Sequence, residues 1–161
     1  MPLASLALTR FRNHAETRLA DLAQFNLLVG ENGAGKTNVL EALSLLAPGR
    51  GMRRASLNDM GQAHTQQGFA VSARLRLDAT GDPVTIGTGT LPDRPGRRIT
   101  RINSAEASAA DLGEWFAVSW LTPAMDRLFA DSAGTRRRFL DRLVVARDPL
   151  HARHASRYEA A

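Results

Sequence analysis

Hydrophobic and polar positions at the start of the chain predict two strands joined by a turn, followed by a third, buried strand. The stretch Leu3–Phe11 is predicted to be the first strand, residues 12–14 a polar turn, and residues 17–22 the returning strand. Residues 25–29 (FNLLV) are hydrophobic on both sides, as expected for a buried central strand. This third strand runs directly into a glycine-rich loop.

The hydrophobic period changes after that loop. Across residues 36–47 the apolar positions recur at helical spacing, at Val39, Leu40, Leu43 and Leu46. Pro48 and Gly49 are expected to end this helix. The polar residues 51–67 predict an irregular loop or a short helix.

A period of two then predicts strands in the middle of the chain. Residues 69–77 alternate between apolar and polar side chains, as in a half-buried strand. Residues 84–88 and 97–103 are predicted to be its antiparallel neighbours, because proline- and glycine-containing turns separate the three segments. A short helix near residues 108–113 and an apolar strand at 115–121 (WFAVSWL) are predicted to follow.

Beyond Pro123 the spacing is helical. One apolar stripe contains Phe139, Leu140, Leu143 and Val144, and Pro149 interrupts the pattern before a last helix-like segment that reaches Ala161. The chain is therefore predicted to consist of a mixed α/β lobe, residues 1–122, and the beginning of a helical lobe, residues 123–161. The predicted fold class is α/β.

Length and composition are those of an ordinary globular domain. The chain has 161 residues, 43% of them hydrophobic, and it contains no cysteine, which excludes disulfides and thiolate metal sites. The N-terminal segment lacks the order of basic and apolar regions of a signal peptide, and no segment approaches the roughly 20 apolar residues of a membrane span. We therefore expect a cytoplasmic protein with no membrane partner.

The net charge of +5 and the pI of about 11.1 favour phosphate-bearing partners such as nucleic acids or nucleotides. An arginine-biased composition would produce the same charge without any such partner. The charge therefore supports nucleic-acid binding and does not establish it.

Residues 30–37, GENGAGKT, match the pattern G-x-x-x-x-G-K-[S/T] of a phosphate-binding P-loop, between a predicted strand and a predicted helix. Its glycines let the backbone curl closely around phosphates, and its N–H groups converge on the anion at the positive end of the helix dipole. Lys36 is expected to reach the β- and γ-phosphates, and the Thr37 hydroxyl to ligate Mg²⁺. The loop therefore predicts nucleotide binding.

Lys36 is the only lysine of the chain, since the twenty other basic residues counted with it are arginines. Lysine carries a compact ammonium on a flexible stem, whereas arginine presents a wide planar fork. A loop closed around a triphosphate has room for the first and poor room for the second. The solitary lysine thus supports the P-loop interpretation.

The rest of a hydrolytic site is not evident in the sequence. P-loop hydrolysis also requires an acid after a second buried strand, and neither 25–29 nor 115–121 is followed by one. Asp141 and Asp148 lie in a helical segment, where a solvated face is the simpler interpretation. The four histidines suggest no metal site and are predicted to be surface polar residues: His14, His64, His151 and His154.

Several separated motifs resemble one family. GENGAGKTNVLEALSLL at residues 30–46, LTRFRNH at 8–14, LTPAMDRLF at 121–129 and GTRRRFLDRLVVARDP at 134–149 are similar to the N-terminal part of the RecF family of ABC-type, SMC-like ATPases. The resemblance covers essentially the whole chain. It implies a P-loop NTPase fold, an incomplete ABC ATPase lobe I with antiparallel β hairpins, followed by the start of a helical lobe.

The resemblance also implies a function. Members of the family are ATP-dependent DNA-binding proteins that act at single-strand gaps and junctions, dimerise on ATP, and work with RecO and RecR in replication, recombinational repair and the SOS response. ATP and Mg²⁺ would be held by Gly30, Glu31, Asn32, Gly33, Ala34, Gly35, Lys36 and Thr37. Arg12 and Asn13 would approach the nucleotide, and Arg136, Arg137 and Arg138 would face DNA or a partner. An exposed turn and a solvated helix face are the respective alternatives.

The departure from the family is length. Family members carry a second half with the ABC signature and the Walker B acid, and neither motif occurs in this sequence. We therefore expect half of a nucleotide site, an exposed apolar edge where later strands would pack, and poor solubility. Without those motifs, hydrolysis by this chain alone is not expected.

Two alternatives to the RecF hypothesis remain. A small P-loop nucleoside or metabolite kinase would use a basic lid, which Arg94, Arg97, Arg98 and Arg101 could imitate, and it would transfer phosphate to small acceptors. A structural or anion-binding module whose P-loop no longer works would bind ATP equally well after Lys36→Ala.

Overall fold

The computed structural model describes residues 3–62, 67–76 and 81–159, which contain one antiparallel sheet, a helix packed on one face of it, and a helical segment that follows. The strands are β1 (Leu3–Phe11), β2 (His14–Leu19), β3 (Ala70–Leu75), β4 (Val84–Leu91), β5 (Arg94–Ile102) and β6 (Ala105–Ala107). The helices are α1 (Lys36–Ser44), α2 (Leu57–Met60), α3 (Leu112–Trp115), a 3₁₀ helix (Pro123–Ala130), α4 (Ala133–Arg147) and α5 (Leu150–Glu159). In these ranges no helix is both long and apolar enough to cross a membrane.

The sheet has the strand order β2-β1-β3-β4-β5-β6, and every neighbouring pair is antiparallel. Alternate residues of each strand point to opposite faces, so one face carries the apolar side chains. Leu6 and Leu8 of β1 are buried on that face. Val39 and Ala42 of α1 are buried in the same core, so the hydrophobic face of the sheet holds the helix that follows the glycine-rich loop.

The predicted hairpins form, with shifted ends. Strand β1 has the predicted bounds, but β2 begins at His14 and not at residue 17, because Phe11 pairs directly with His14 across a two-residue turn. The predicted strand 69–77 is observed as β3, and its predicted last residue, Leu77, lies outside the described residues. Strands β4 and β5 are longer than predicted.

Strand β6 was not predicted from the sequence. Asn103 and Ser104 form the two-residue turn before it, and both have positive φ, 47° and 71°. Two-residue hairpins favour this conformation because its twist matches that of the strands. An asparagine followed by serine is a weak signal for such a turn, and the three-residue strand after it has too few positions to show a period.

The prediction of a buried central strand at 25–29 is wrong for this chain. These residues have no regular secondary structure, and the side chains of Phe25, Leu27 and Val29 are 86%, 87% and 82% exposed. A strand that is apolar on both sides needs strands beside it and a cover on each face. The described strands pair with one another in a sheet that does not include residues 25–29, so this segment has no strand beside it among the described residues. These side chains form an exposed apolar segment, and an edge at which later strands would pack stays a prediction.

The predicted strand at 115–121 is also wrong. Trp115 is the last residue of α3, which shares only residues 112 and 113 with the helix predicted near 108–113, and residues 116–122 have no regular secondary structure. Trp120 contacts Arg142 of α4. The Arg142 guanidinium lies 4.2 Å from the Trp120 ring centroid and donates a 3.1 Å hydrogen bond to the Trp120 carbonyl. Burial between such groups lowers the pKa of Arg142.

The helical segment follows the predicted pattern in outline. The 3₁₀ helix begins at Pro123, α4 contains the predicted apolar stripe, and Pro149 separates α4 from α5. Leu140 and Leu143 of the stripe are 60% and 42% exposed, so much of the apolar surface of α4 has no cover among the described residues. The boundary between residues 1–122 and 123–161 stays a prediction.

Candidate functional site

The glycine-rich loop lies at the N-terminus of α1 in the conformation that its glycines permit. Gly33 and Gly35 have φ values of 88° and 93°, where a side chain would be strained. Gly35 is the N-cap of α1, and its carbonyl accepts hydrogen bonds from the N–H groups of Asn38 and Val39. The loop before Gly35 is exposed, so its backbone is open to an anion at the positive end of the helix.

Lys36 folds back over the loop. Its Nζ atom donates hydrogen bonds of 2.7 Å to the carbonyls of Gly30 and Glu31, which uses two of its three protons. The ammonium is therefore already held beside the loop, where a phosphate can compete for it. Thr37 lies exposed in the first turn of α1. The predicted P-loop residues are thus together in one place, although their ligands stay a prediction.

The β1–β2 hairpin turn supports the loop from behind. Asn13 donates a 3.1 Å hydrogen bond from Nδ2 to the Gly33 carbonyl, and the His14 Nε2 atom lies 3.2 Å from the Gly35 carbonyl. Because a carbonyl can only accept, the His14 Nε2 carries the proton, and Nδ1 then accepts from the Thr17 hydroxyl at 2.9 Å. The turn and the loop are therefore connected by two direct contacts.

His14 was predicted to be a surface polar residue, and this prediction is wrong. It is half-buried and contacts the P-loop. The contact is so close that a Cβ added to Gly35 would lie 2.5 Å from the His14 Nε2 atom. A single histidine after a strand carries no sequence signal for such a contact. His64, by contrast, lies outside the described residues.

The two residues predicted to approach the nucleotide differ in position. Asn13 contacts the P-loop directly, whereas the Arg12 side chain is directed to α1, where it forms a bidentate pair with Glu41 through bonds of 2.7 and 3.0 Å. Arg12 also donates a 2.6 Å hydrogen bond to the Asp59 carbonyl. The guanidinium of Arg12 is thus occupied by protein groups, and a nucleotide contact for it stays a prediction.

The C-terminal end of α1 is held by a second arginine that the sequence did not single out for this role. Arg98 of β5 donates hydrogen bonds to the carbonyls of Leu45, Ala47 and Gly49, and its Nε donates to the Thr88 hydroxyl at 2.8 Å. A cation at the C-terminus of a helix is favourable because the helix dipole is negative there. Burial lowers the pKa of Arg98 to about 10.

The arginines predicted to face DNA or a partner lie exposed near the N-terminal end of α4. Arg136 donates to the Asp131 carbonyl, and Arg138 donates a 2.9 Å hydrogen bond to the Thr135 hydroxyl. Three consecutive helical residues point in directions about 100° apart, so Arg136, Arg137 and Arg138 do not share one narrow face. Their role stays a prediction.

The two helical aspartates have local partners. Asp141 pairs with His151 at 2.9 Å, and Asp148 accepts a 3.1 Å hydrogen bond from the Leu150 N–H at the start of α5. Both contacts lie in the helical segment and not at the P-loop. Asp148 is exposed, as predicted for a solvated face, whereas Asp141 is half-buried in its pair with His151.

Comparison with known proteins places this architecture. A model of the family described as "AAA domain, putative AbiEii toxin, Type IV TA system" matches residues 25–96. The DNA replication and repair protein RecF of Mesorhizobium japonicum is 52% identical over 99% of this chain, and that of Brucella suis is 47% identical over 97%. The resemblance to the N-terminal part of RecF is confirmed. The chain spans about two-fifths of the length of these RecF relatives, 42% and 40%.

Solved structures agree on the fold. The structure of the recombination mediator protein RecF-ATPrS in the RecFOR pathway matches with a TM-score of 0.78 and 24% identity, over 91% of this chain and 39% of that RecF chain. An SMC head bound to the C-winged helix domain of ScpA matches with a TM-score of 0.67 and 20% identity, over 94% of this chain and 54% of the other. The predicted fold, lobe I of an ABC-type ATPase head with antiparallel hairpins, is confirmed.

Proposed function

We propose that residues 30–37 bind ATP together with Mg²⁺, and that the chain acts as the nucleotide-binding N-terminal part of a RecF-type DNA repair ATPase. The observation that carries the proposal is the conformation of the P-loop, with Gly33 and Gly35 at positive φ and Lys36 at the start of α1. The RecF relatives that match nearly the whole chain support it.

The residues present fit a nucleoside triphosphate. The exposed loop backbone and the N-terminus of α1 favour a phosphate group, and Lys36 holds a positive charge beside them. Bound Mg²⁺ would neutralise phosphate charge, with the Thr37 hydroxyl as its protein ligand. Backbone groups for the phosphates would come from the loop residues Gly30, Glu31, Asn32, Gly33, Ala34 and Gly35.

DNA is the second proposed partner. By its similarity to RecF we infer that the chain contributes to binding single-stranded, gapped and junction DNA, to contacts with RecO and RecR, and to an ATP-dependent homodimer. The surplus of positive charge supports an interaction with phosphate backbones. The kinase alternative is not favoured by the RecF relatives, and it would show as phosphate transfer to small acceptors.

Titration of a fluorescent ATP analogue with Mg²⁺ tests the nucleotide site. We expect Lys36→Ala to weaken binding by about 10- to 100-fold, because a charge-assisted contact to phosphate contributes roughly 1.5–3 kcal/mol. Arg18→Ala, at an exposed position of β2, removes the same charge away from the loop and should leave the affinity unchanged. Equal affinity of Lys36→Ala and wild type would support the alternative of a P-loop that no longer works.

Salt-dependent binding to gapped DNA tests the arginines of α4. Replacing Arg136, Arg137 and Arg138 together by alanine should weaken binding and lower the slope of log affinity against log salt by roughly one for each phosphate that these side chains neutralise. Arg94, Arg97 and Arg101, which are also exposed, provide a control variant with the same loss of charge. Identical slopes for both triple variants would show that only net charge matters at these positions.

A further inference from the structure

We infer that Glu41 is a positioning residue of the proposed ATP site, which it orients through Arg12 and Arg53 without touching the nucleotide. This inference rests on the proposed function. It goes beyond the P-loop motif, because Glu41 lies in the second turn of α1, on the side that faces the protein interior.

Glu41 is a buried carboxylate with two cationic partners. Its residue exposure is 0%, Arg12 binds both of its oxygens, and the Arg53 Nη1 atom lies 2.8 Å from Oε2. Taking the Glu41 carboxylate and most of the Arg12 guanidinium out of water is expensive, and apolar residues in such places are often at least as stable. The burial of this carboxylate is therefore weak evidence for a role in overall stability alone.

One route from Glu41 to the loop runs through side chains. The Arg53 Nη1 atom that binds Glu41 also donates a 2.8 Å hydrogen bond to the Asn38 Oδ1 atom. Asn38 in turn donates at 2.8 Å to the Asn13 Oδ1 atom, and Asn13 donates at 3.1 Å to the Gly33 carbonyl. In the side-chain amides of Asn38 and Asn13, the oxygen accepts a hydrogen bond from the preceding residue of the route and the nitrogen donates one to the next. All the hydrogen bonds therefore run in one direction, from Arg53 to the loop.

The second route runs through the backbone of the hairpin turn. Arg12 has a φ of 54°, the kind of positive φ that two-residue hairpin turns favour, and the bidentate contact with Glu41 anchors its side chain. Two residues further on, His14 contacts the Gly35 carbonyl. This carbonyl also accepts from the Asn38 and Val39 N–H groups, so His14 adds a third contact to the peptide that precedes Lys36.

Affinity for the fluorescent ATP analogue, measured in two backgrounds, tests the inference. Glu41→Gln keeps the shape of the side chain but removes the charge that holds both arginines, and we expect it to weaken ATP binding about tenfold in the wild type. In an Asn13→Ala/His14→Ala background both routes are already cut. There the same change should weaken binding less than about twofold, although Glu41→Gln still lowers the melting temperature.

A merely structural Glu41 would give a different result. Its substitution would then lower the melting temperature while leaving the ATP affinity of the folded protein unchanged, or it would lower the affinity equally in both backgrounds. Either outcome would overturn the inference. If Glu41→Gln does not fold, Arg53→Met removes one arm at a residue whose side chain is 41% exposed. Its effect on affinity should disappear when Asn13→Ala is also present, and persistence of the effect would count against the route.

The same titrations separate this inference from the proposed function. If Lys36→Ala weakens ATP binding and Glu41→Gln and Arg53→Met do not, only the positioning role fails. If the wild type shows no ATP binding that depends on Lys36, both fail together.

Discussion

Replacing Gly35 by alanine tests how closely the hairpin turn supports the P-loop. A Cβ at this position would lie 2.5 Å from the His14 Nε2 atom and 2.7 Å from the Asn13 Oδ1 atom, and the backbone has a φ of 93°. Gly33 is a matched control, because it has a similar φ of 88° and no atom within 4 Å of the position of an added Cβ. We expect Gly35→Ala to destabilise the protein more than Gly33→Ala does.

The difference between the two variants follows from their surroundings. A left-handed backbone conformation costs a residue with a side chain roughly 1–2 kcal/mol, and this cost is common to both. In Gly35→Ala the ends of the Asn13 and His14 side chains must also move away, which breaks their hydrogen bonds to the loop carbonyls at roughly 0.5–1.5 kcal/mol each. Gly35→Ala should therefore lower the free energy of unfolding by about 1–3 kcal/mol more than Gly33→Ala.

Urea unfolding without nucleotide, followed by tryptophan fluorescence, measures both free energies. A third comparison isolates the clash: in an Asn13→Ala/His14→Ala background the crowding atoms are absent, so Gly35→Ala should cost no more than Gly33→Ala. Equal costs of the two glycine substitutions in the wild-type background would refute the argument that the turn packs against the loop.

Two further predictions concern other parts of the fold. Arg98→Ala should lower the free energy of unfolding, measured in urea, by roughly 2–4 kcal/mol, because the carbonyls at the end of α1 lose a charged donor. The control Arg97→Ala, at an exposed neighbouring position, should change this free energy by less than about 0.5 kcal/mol. Leu27→Ser should leave that free energy unchanged and reduce self-association in light scattering, because the Leu27 side chain is 87% exposed. Unchanged light scattering would show that self-association does not depend on the exposed apolar side chains of residues 25–29.

Local pattern was sufficient for the elements that are stabilised by their nearest neighbours. The period of two in β3 and the turns beside it predicted the antiparallel meander, since each strand pairs with one close in sequence. The same logic failed at residues 25–29 and 115–121. An apolar run indicates that a segment favours burial, but it does not show which other elements of the chain pack against that segment.

The sequence by itself determined the P-loop and the helix that begins at Lys36, because a phosphate-binding turn depends on a few adjacent residues whose backbone freedom and charge can be read directly. Only the tertiary structure decided what surrounds that loop. Arg12 meets Glu41 across 29 residues of chain, and Arg98 reaches the Leu45 carbonyl across 53. Contacts between residues so far apart in sequence depend on how the sheet places β1 and β5 beside α1. The local spacing of apolar residues does not predict that placement.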